Sequence, residues 1–222
     1  MNFNLDNYQT VIFDCDGVVL NSNFIKAQCF YLSVKDLGDK LAKDFINYHK
    51  KQGGLSRLKK YDYLIDNILP KYNIIGKDRK LLHKELISKY ESLLKSQILK
   101  ADLSPFLIKL REQHNSVDWI MISGSDQIEL REILKKRGIY EFFNLGIFGS
   151  PSTKESLIKD NIIQNKIKFP AIFLGDSKLD YYSAKKYEID FIFLYEWTDL
   201  SNWEQFCSGN NINYAKNLGI FL

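Results

Sequence analysis

The chain has little that would anchor it, cross-link it or give it soft metal ligands. Its 222 residues contain no uninterrupted apolar run of the roughly 18 residues that a membrane-spanning helix needs. The first apolar strand begins too early for a basic, cleavable leader, so the expectation is a cytoplasmic protein with no membrane partner. Cysteine is scarce, and Cys15, Cys29 and Cys207 make neither an even disulfide set nor a Cys-x-x-Cys pair, as suits a reducing compartment. His49, His83 and His114 lack the spacing of a metal pair on one helix. The Gly-x-x-x-x-Gly-Lys-Ser/Thr loop of P-loop kinases is missing, as are internal repeats, low-complexity tracts and Gly/Ser linkers. The net charge of +4 is not gathered into one tract: Lys50-Lys51, Lys59-Lys60, Lys135-Lys136-Arg137 and Lys185-Lys186 are spread over several expected helices. That distribution argues against a nucleic-acid partner and for a positive field that draws in a small anion.

What is present is concentrated at strand ends. Val11-Ile12-Phe13-Asp14-Cys15-Asp16-Gly17 aims two carboxylates, one residue apart, out of an apolar strand. Alternation along a strand puts Asp14 and Asp16 on one side and Cys15 on the other. Carboxylates that close repel unless a cation or a proton sits between them, which implies a divalent metal. Three later segments repeat the layout. Val117–Ile122 ends in Ser123-Gly124, Leu145–Phe148 runs on towards Lys154, and Ala171–Leu174 ends in Gly175-Asp176. In open α/β sheets ligands bind at the carboxyl ends of the strands, so four separate pieces of sequence are expected to meet at one crevice.

This set resembles the haloacid dehalogenase-like hydrolases, mostly magnesium-dependent phosphatases. Asp14 and Asp16 match the first motif, Asp-x-Asp-Gly, Ser123 the second, Lys154 the third, and Gly175-Asp176-Ser177-Lys178-Leu179-Asp180 the fourth, in family order over residues 9 to 195. The stretch Tyr48–Arg57 also resembles a bacterial subset whose members often lie among sugar or surface-polysaccharide genes. Two positions depart from the family pattern without touching the carboxylates: Asn21-Ser22 stands where many members have Asp-Ser, and Val18 where Thr is commoner.

Phosphoryl transfer assigns work to these residues. A carboxylate nucleophile splits a very slow hydrolysis into two displacements through an aspartyl-phosphate, and Asp14 is the expected nucleophile. One acid/base group serves both halves, protonating the leaving alkoxide and then deprotonating water, and Asp16 is expected there. Lys154, the Ser123 hydroxyl and the backbone N–H at Gly124 are expected to meet the phosphoryl charge. The expected cofactor is Mg²⁺, on the carboxylates of Asp14 and Asp176, with Asp180 a direct ligand or an orienter of a metal-bound water. The resemblance adds the backbone carbonyl of Asp16.

Each feature has a plainer reading. Ser123–Asp126 also fits a helix N-terminus capped by Ser125. Lys154 also fits a solvated lysine, and Asp180 an acid on the outer face of a helix. Cys15 reads as a buried strand thiol with no sequence-near histidine to activate it.

The expected architecture is an α/β, three-layer, Rossmann-like parallel-sheet core from residues 1–21 and 100–222, with an all-helical cap, residues 22–99, inserted between the first two motifs. In the cap, apolar residues recur at helical spacing, as in Leu58, Tyr61, Leu64, Ile65 and Ile68, then Leu81, Leu82, Leu86, Tyr90, Leu93 and Leu94. Gly53-Gly54-Leu55-Ser56-Arg57 interrupts it, either as a helix stop followed by a Ser56 N-cap or as a loop bringing Arg57 and Lys60 to the substrate. In the core, alternating strands and helices end in a tail after Glu196 expected to pack as a helix and loop.

The expected activity is hydrolysis of a small phosphorylated metabolite, a sugar phosphate first, by a monomer or homodimer. A sugar phosphomutase using Asp14 and Asp16, and a non-catalytic phosphate-binding regulator, are the alternatives. Asp16 argues against a dehalogenase, and a phosphonatase would need a cap lysine such as Lys26, Lys35 or Lys50.

Overall fold

A computed structural model describes residues 4–76 and 78–222. Its frame is one parallel sheet of β1 (Thr10–Phe13), β2 (Asp118–Asp126), β3 (Gly146–Ser150), β4 (Ala171–Gly175), β5 (Asp190–Leu194) and β6 (Asn213–Ala215), in the order β3-β2-β1-β4-β5-β6. Order reverses between β1 and β4, where Thr10 pairs with Ala171 and Phe13 with Leu174. The ends of these two strands therefore flank the switch point at which α/β sheets bind ligands.

Pleat alternation explains the layers. Val11, Phe13, Trp119, Met121, Ile172 and Leu174 pack into one core with α5 (Leu107–Gln113) and α6 (Gln127–Lys136). The intervening residues Ile12, Ile120, Ile122 and Phe173 pack on the other face with α7 (Lys154–Ile163) and α8 (Lys178–Lys186). The closing helix, α9 (Trp203–Asn210), puts Phe206 and Cys207 against Tyr181 and Phe193.

Between β1 and α5 the regular elements of the described residues are helices, α1 (Asn23–Val34), α2 (Asp39–Lys51), α3 (Arg57–Tyr63) and α4 (Arg79–Gln97), with short 3₁₀ and π turns among them. Phe30, Phe45, Tyr61 and Tyr90 form its aromatic centre, and Tyr48 stacks on Tyr63 at 3.7 Å. Tyr61 and Tyr90 are buried in this core, while Tyr63 is half-buried against it. In α4 the buried stripe is Leu82, Leu86, Tyr90 and Leu94, a spacing of four, and Leu81 points out at 57% exposure. The chain enters and leaves this insertion side by side: Asn21 N–H donates to Asp102 O, and Ser104 N–H to Val19 O, each at 2.9 Å. Among the described residues no helix is long and apolar enough to cross a membrane.

The tail differs from the expected helix and loop, since a sixth strand follows α9. It spans three residues at a sheet edge, with Asn213 and Tyr214 exposed and only Ala215 buried, so no apolar run announces it.

Candidate active site

The chain turns sharply after β1. Asp14 N–H donates to Leu174 O at 3.0 Å, and Val19 and Leu20 N–H both donate to Cys15 O at 2.9 Å. The strand ends at Phe13, so a turn, and not pleat alternation, brings Asp14 and Asp16 to the crevice. Gly17 makes the turn fit twice over. Its φ is +78°, and a Cβ there would lie 2.1 Å from Asp176 Oδ2.

Asp14, Asp176 and Asp180 bring carboxylate oxygens within 4.8 Å of one another, all buried. Lys154, at the start of α7, reaches into this cluster, with its Nζ 2.8 Å from Asp14 Oδ2 and also bonded to Asp180. It is 2% exposed and no solvated lysine. Asp180 is fully buried, accepting from Ser177 N–H at 3.0 Å and Ser177 Oγ at 2.6 Å in a reciprocal cap of α8, so it is no surface acid. Asp176 is held by Asn23 Nδ2, which donates to it and to Trp197 O at 2.8 Å each.

Burial first, then Asp180 and Asp16, push the Asp14 carboxyl up to about 7 against the pull of Lys154. Burial and then Asp14 and Asp180 push Asp176 well above the usual range. Burial works against the Lys154 ammonium, but Asp14 and Asp180 outweigh it and raise its value. Three buried carboxylates meet one ammonium, leaving two negative charges if all ionise, on hard oxygen donors. A divalent cation such as Mg²⁺ fits that donor set in charge and in chemistry.

The Asp16 carboxylate turns away from this cluster. It accepts from Lys26 Nζ at 2.6 Å, from Ser125 Oγ at 2.8 Å and from Ser22 Oγ. Burial alone would raise it, but Lys26 and these hydrogen bonds hold it below the ordinary carboxylate range. Any metal contact from this residue is left to its backbone. Ser125 is not the cap of α6. Asp126 takes that place, accepting from Ile128 and Glu129 N–H at 3.1 and 3.0 Å. Ser125 is thereby free for Asp16 and for Lys26 Nζ, 2.6 Å away. Ser123 is fully buried within β2, where the pairing with β3 shifts register after Ile122, its Oγ accepting from Ser125 N–H at 3.1 Å. Gly124 lies under the insertion so closely that a Cβ would sit 2.1 Å from Gly54 O. Burial raises the Cys15 thiol well above its usual value, the opposite of an activated nucleophile.

The insertion roofs the same cleft with His49, Arg57, Lys60 and Tyr90. Ser56 does cap α3, accepting from Lys59 N–H at 3.5 Å. Arg57 reaches the cleft but its guanidinium is occupied by carboxylates: Glu91 at 2.9 Å, Asp126 at 3.7 Å, and Glu129. It fastens the insertion to the core and offers no free charge to a substrate. Lys60 is buried with its Nζ 2.8 Å from His49 Nδ1. Of the lysines considered for imine chemistry, Lys26 is held as an ammonium by Asp16, and Lys35 is exposed away from the cleft. Sequence reasoning missed Asn23, the Asp16 contacts of Ser22, Lys26 and Ser125, and the burial of His49. The one local signal was that Ser22 and Lys26 are four apart at the start of a helix and share a face.

A family model described as haloacid dehalogenase-like hydrolase matches residues 8–186. Solved structures share the fold over nearly the whole chain. One, a haloacid dehalogenase-like family hydrolase from Streptococcus pneumoniae, is 20% identical, with 97% of each chain covered and a TM-score of 0.64. Another, described as a predicted phosphatase from Clostridium acetobutylicum, is 18% identical, with 94% of each chain covered and a TM-score of 0.70. A third, described as a putative beta-phosphoglucomutase from Thermotoga maritima, is 14% identical, with 96% of each chain covered and a TM-score of 0.65. No curated protein matches the chain.

Proposed function

The chain belongs to the haloacid dehalogenase-like hydrolase family, and from that premise we propose that it is a Mg²⁺-dependent cytoplasmic phosphomonoesterase acting on a small phosphorylated metabolite, a sugar phosphate first. The observation that carries this reading is Lys154 seated between Asp14 and Asp180 beside Asp176, a buried site with the charge and donors for a divalent cation and a phosphoryl group. Asp14, Asp176 and the backbone carbonyl of Asp16 would hold Mg²⁺, with Asp180 as a direct ligand or through a water. When bound, the ion supplies a fixed positive charge against the phosphoryl oxygens.

Asp14 Oδ attacks phosphorus, and the bond from phosphorus to the ester oxygen breaks. The departing oxygen takes its proton from Asp16, leaving phosphate on Asp14. In the second half Asp16 takes a proton from water, the resulting oxygen bonds to phosphorus, and the Asp14–phosphorus bond breaks to release inorganic phosphate. Ser123 Oγ, the Gly124 N–H and Lys154 Nζ hold the phosphoryl oxygens throughout. Residues 22–99 act as a cap over a core of residues 1–21 and 100–222, excluding water and choosing the leaving group, with Lys60 as its selecting cation and Arg57 as its fastening to the core.

A phosphomutase would use the same Asp14 and Asp16. The close seat of Gly54 O on Gly124 favours that second reading, since a tightly roofed cleft keeps water from the phosphoenzyme. A regulator without turnover is disfavoured by the complete set of carboxylates and Lys154.

The test is phosphate release from a panel of sugar phosphates, other small monoesters and an aryl phosphate, with Mg²⁺ and with EDTA, beside Asp14→Asn. Release that needs both Mg²⁺ and Asp14 is expected. Release that survives Asp14→Asn overturns the mechanism, and isomerised sugar phosphate without release selects the mutase.

A further inference from the structure

Among the described residues, the cleft holds one buried cation in contact with no acid. Lys60 is 4% exposed, and its Nζ reaches His49 Nδ1 at 2.8 Å and lies over the Phe30 ring at 5.4 Å. With the ammonium donating to Nδ1, the imidazole carries its own proton on Nε2. That Nε2 is buried and without a hydrogen-bond partner among the described residues. Asp199 Oδ2 stands 3.8 Å from it, beyond hydrogen-bond reach. Burial first, then Lys60, Lys26 and Lys50, hold His49 well below its usual range, so the ring is a neutral donor and not a second cation.

Charge around the pair does not balance. Lys26 is matched by Asp16. Asp199 faces both Lys50 and Lys60, so two ammonium groups meet one carboxylate. A buried ammonium without a counter-charge is costly, and so is a buried N–H without an acceptor. A ligand group with negative charge on oxygen would relieve Lys60, and a further acceptor on the same ligand would satisfy His49 Nε2 on the other side of the ring. A hydroxyl would satisfy His49 and leave Lys60 unmatched.

We propose that Lys60 and His49 form a second anion subsite on the insertion side of the cleft, and that the ester turned over carries on its leaving group an anionic oxygen group of its own, a carboxylate or a second phosphate. This deepens the phosphomonoesterase reading and rests on it.

The experiment measures binding on the Mg²⁺-loaded Asp14→Asn chain by calorimetry, so that the readout does not depend on turnover. Two matched pairs are compared, 3-phosphoglycerate with glycerol 1-phosphate and fructose 1,6-bisphosphate with fructose 6-phosphate. The member of at least one pair that carries the second anionic group is expected to bind about tenfold tighter, a difference that Lys60→Met removes. The pair in which the preference appears separates a carboxylate from a second phosphate. Equal affinities within both pairs, or a preference that Lys60→Met leaves intact, overturn the proposal.

Should Lys60→Met fail to fold, the pH dependence of the same preference decides. Burial, and then Lys26, bring the Lys60 ammonium down to about 7, with Lys154 acting the same way and Asp16 and Asp199 opposing. His49 touches it, and Lys50, which acts on His49 and Asp199, lines the same cleft. The preference is expected to fade as Lys60 loses its proton between about pH 7 and about pH 9. A preference constant over that range overturns the subsite. Failure of the wild-type chain to release phosphate would overturn the hydrolase reading alone, because these affinities are read without turnover.

Discussion

The Lys26 ammonium stands 2.6 Å from the Asp16 carboxylate, and the two come from opposite sides of the cleft, α1 and the turn after β1. With Ser22 and Ser125 it holds Asp16 in its ionised form. In the reaction proposed above, that is the form which takes a proton from water in the second half. For the proposed protonation of the leaving group in the first half, Asp16 would have to gain a proton and this pair would have to loosen. Where α1 sits and what Asp16 can do are thus coupled.

Lys26→Met should uncover that coupling. Removing one partner of a buried pair costs about 3 kcal/mol or more, so the midpoint of urea unfolding near neutral pH should fall accordingly. Asp16 has a depressed value in the folded chain, so its stabilisation is present above the unfolded carboxyl value of about 3.9 and is lost as pH falls through the folded one. Without Lys26 that loss should begin at higher pH. Unchanged urea midpoints at both neutral and acid pH would refute the coupling.

The carboxylate cluster predicts a pH-dependent response to metal. In the metal-free chain burial keeps Asp14 partly protonated up to about 7. A folded-state value above the unfolded one means that the folded chain binds the extra proton, so this group's contribution to stability falls as pH rises from about 4 to about 7. Mg²⁺ favours the ionised form, and its binding should release protons. The rise in melting temperature on adding Mg²⁺ to EDTA-treated protein should therefore be larger at about pH 7.5 than at about pH 5. Equal shifts would place the metal elsewhere.

Lys154→Met should abolish phosphate release and lower stability by about 3 kcal/mol or more, since it strips the one ammonium from three buried carboxylates. Part of that lost stability should return at acid pH, where the carboxylates protonate. Chemical denaturation at two pH values measures it, and a variant whose stability matches wild type at both would show that Lys154 is not the cluster's counter-charge.

Gly124→Ala tests the roof. A Cβ 2.1 Å from Gly54 O must push the insertion off the core, while the carboxylates of Asp14, Asp176 and Asp180 stay where they are. Phosphate release should fall at least tenfold, with the Mg²⁺ concentration needed for half-maximal activity unchanged. Loss of Mg²⁺ affinity instead would mean that the contact supports the metal cluster itself.

The residues legible in the sequence are those whose placement follows from local chain geometry. Asp14, Ser123 and Asp176 sit at or just beyond the ends of apolar strands, and parallel strands bring their ends to one edge whatever the loops do. The helical stripe through Leu82, Leu86, Tyr90 and Leu94 is likewise a local property. Lys26 beside Ser125, Asn23 beside Asp176 and His49 beside Lys60 depend on how helices dock, which no spacing along the chain encodes. Arg57 was legible as a cleft residue but not as one already matched by Glu91, Asp126 and Glu129. Ser125 and Asp126 are adjacent and both suit an N-cap, so only the course of the chain at the end of β2 decides which one is left to bond Asp16.

The backbone bonds joining Asn21 to Asp102 and Val19 to Ser104 staple the two crossings of the chain together beneath the insertion. Ser22, Asn23 and Lys26 lie just inside these staples and reach down to Asp16 and Asp176, so the chain crosses into the insertion where it also fixes two of the carboxylates below. A helical unit grafted from a relative would have to bring these three side chains with it, and only the stretch beyond them is released from that duty.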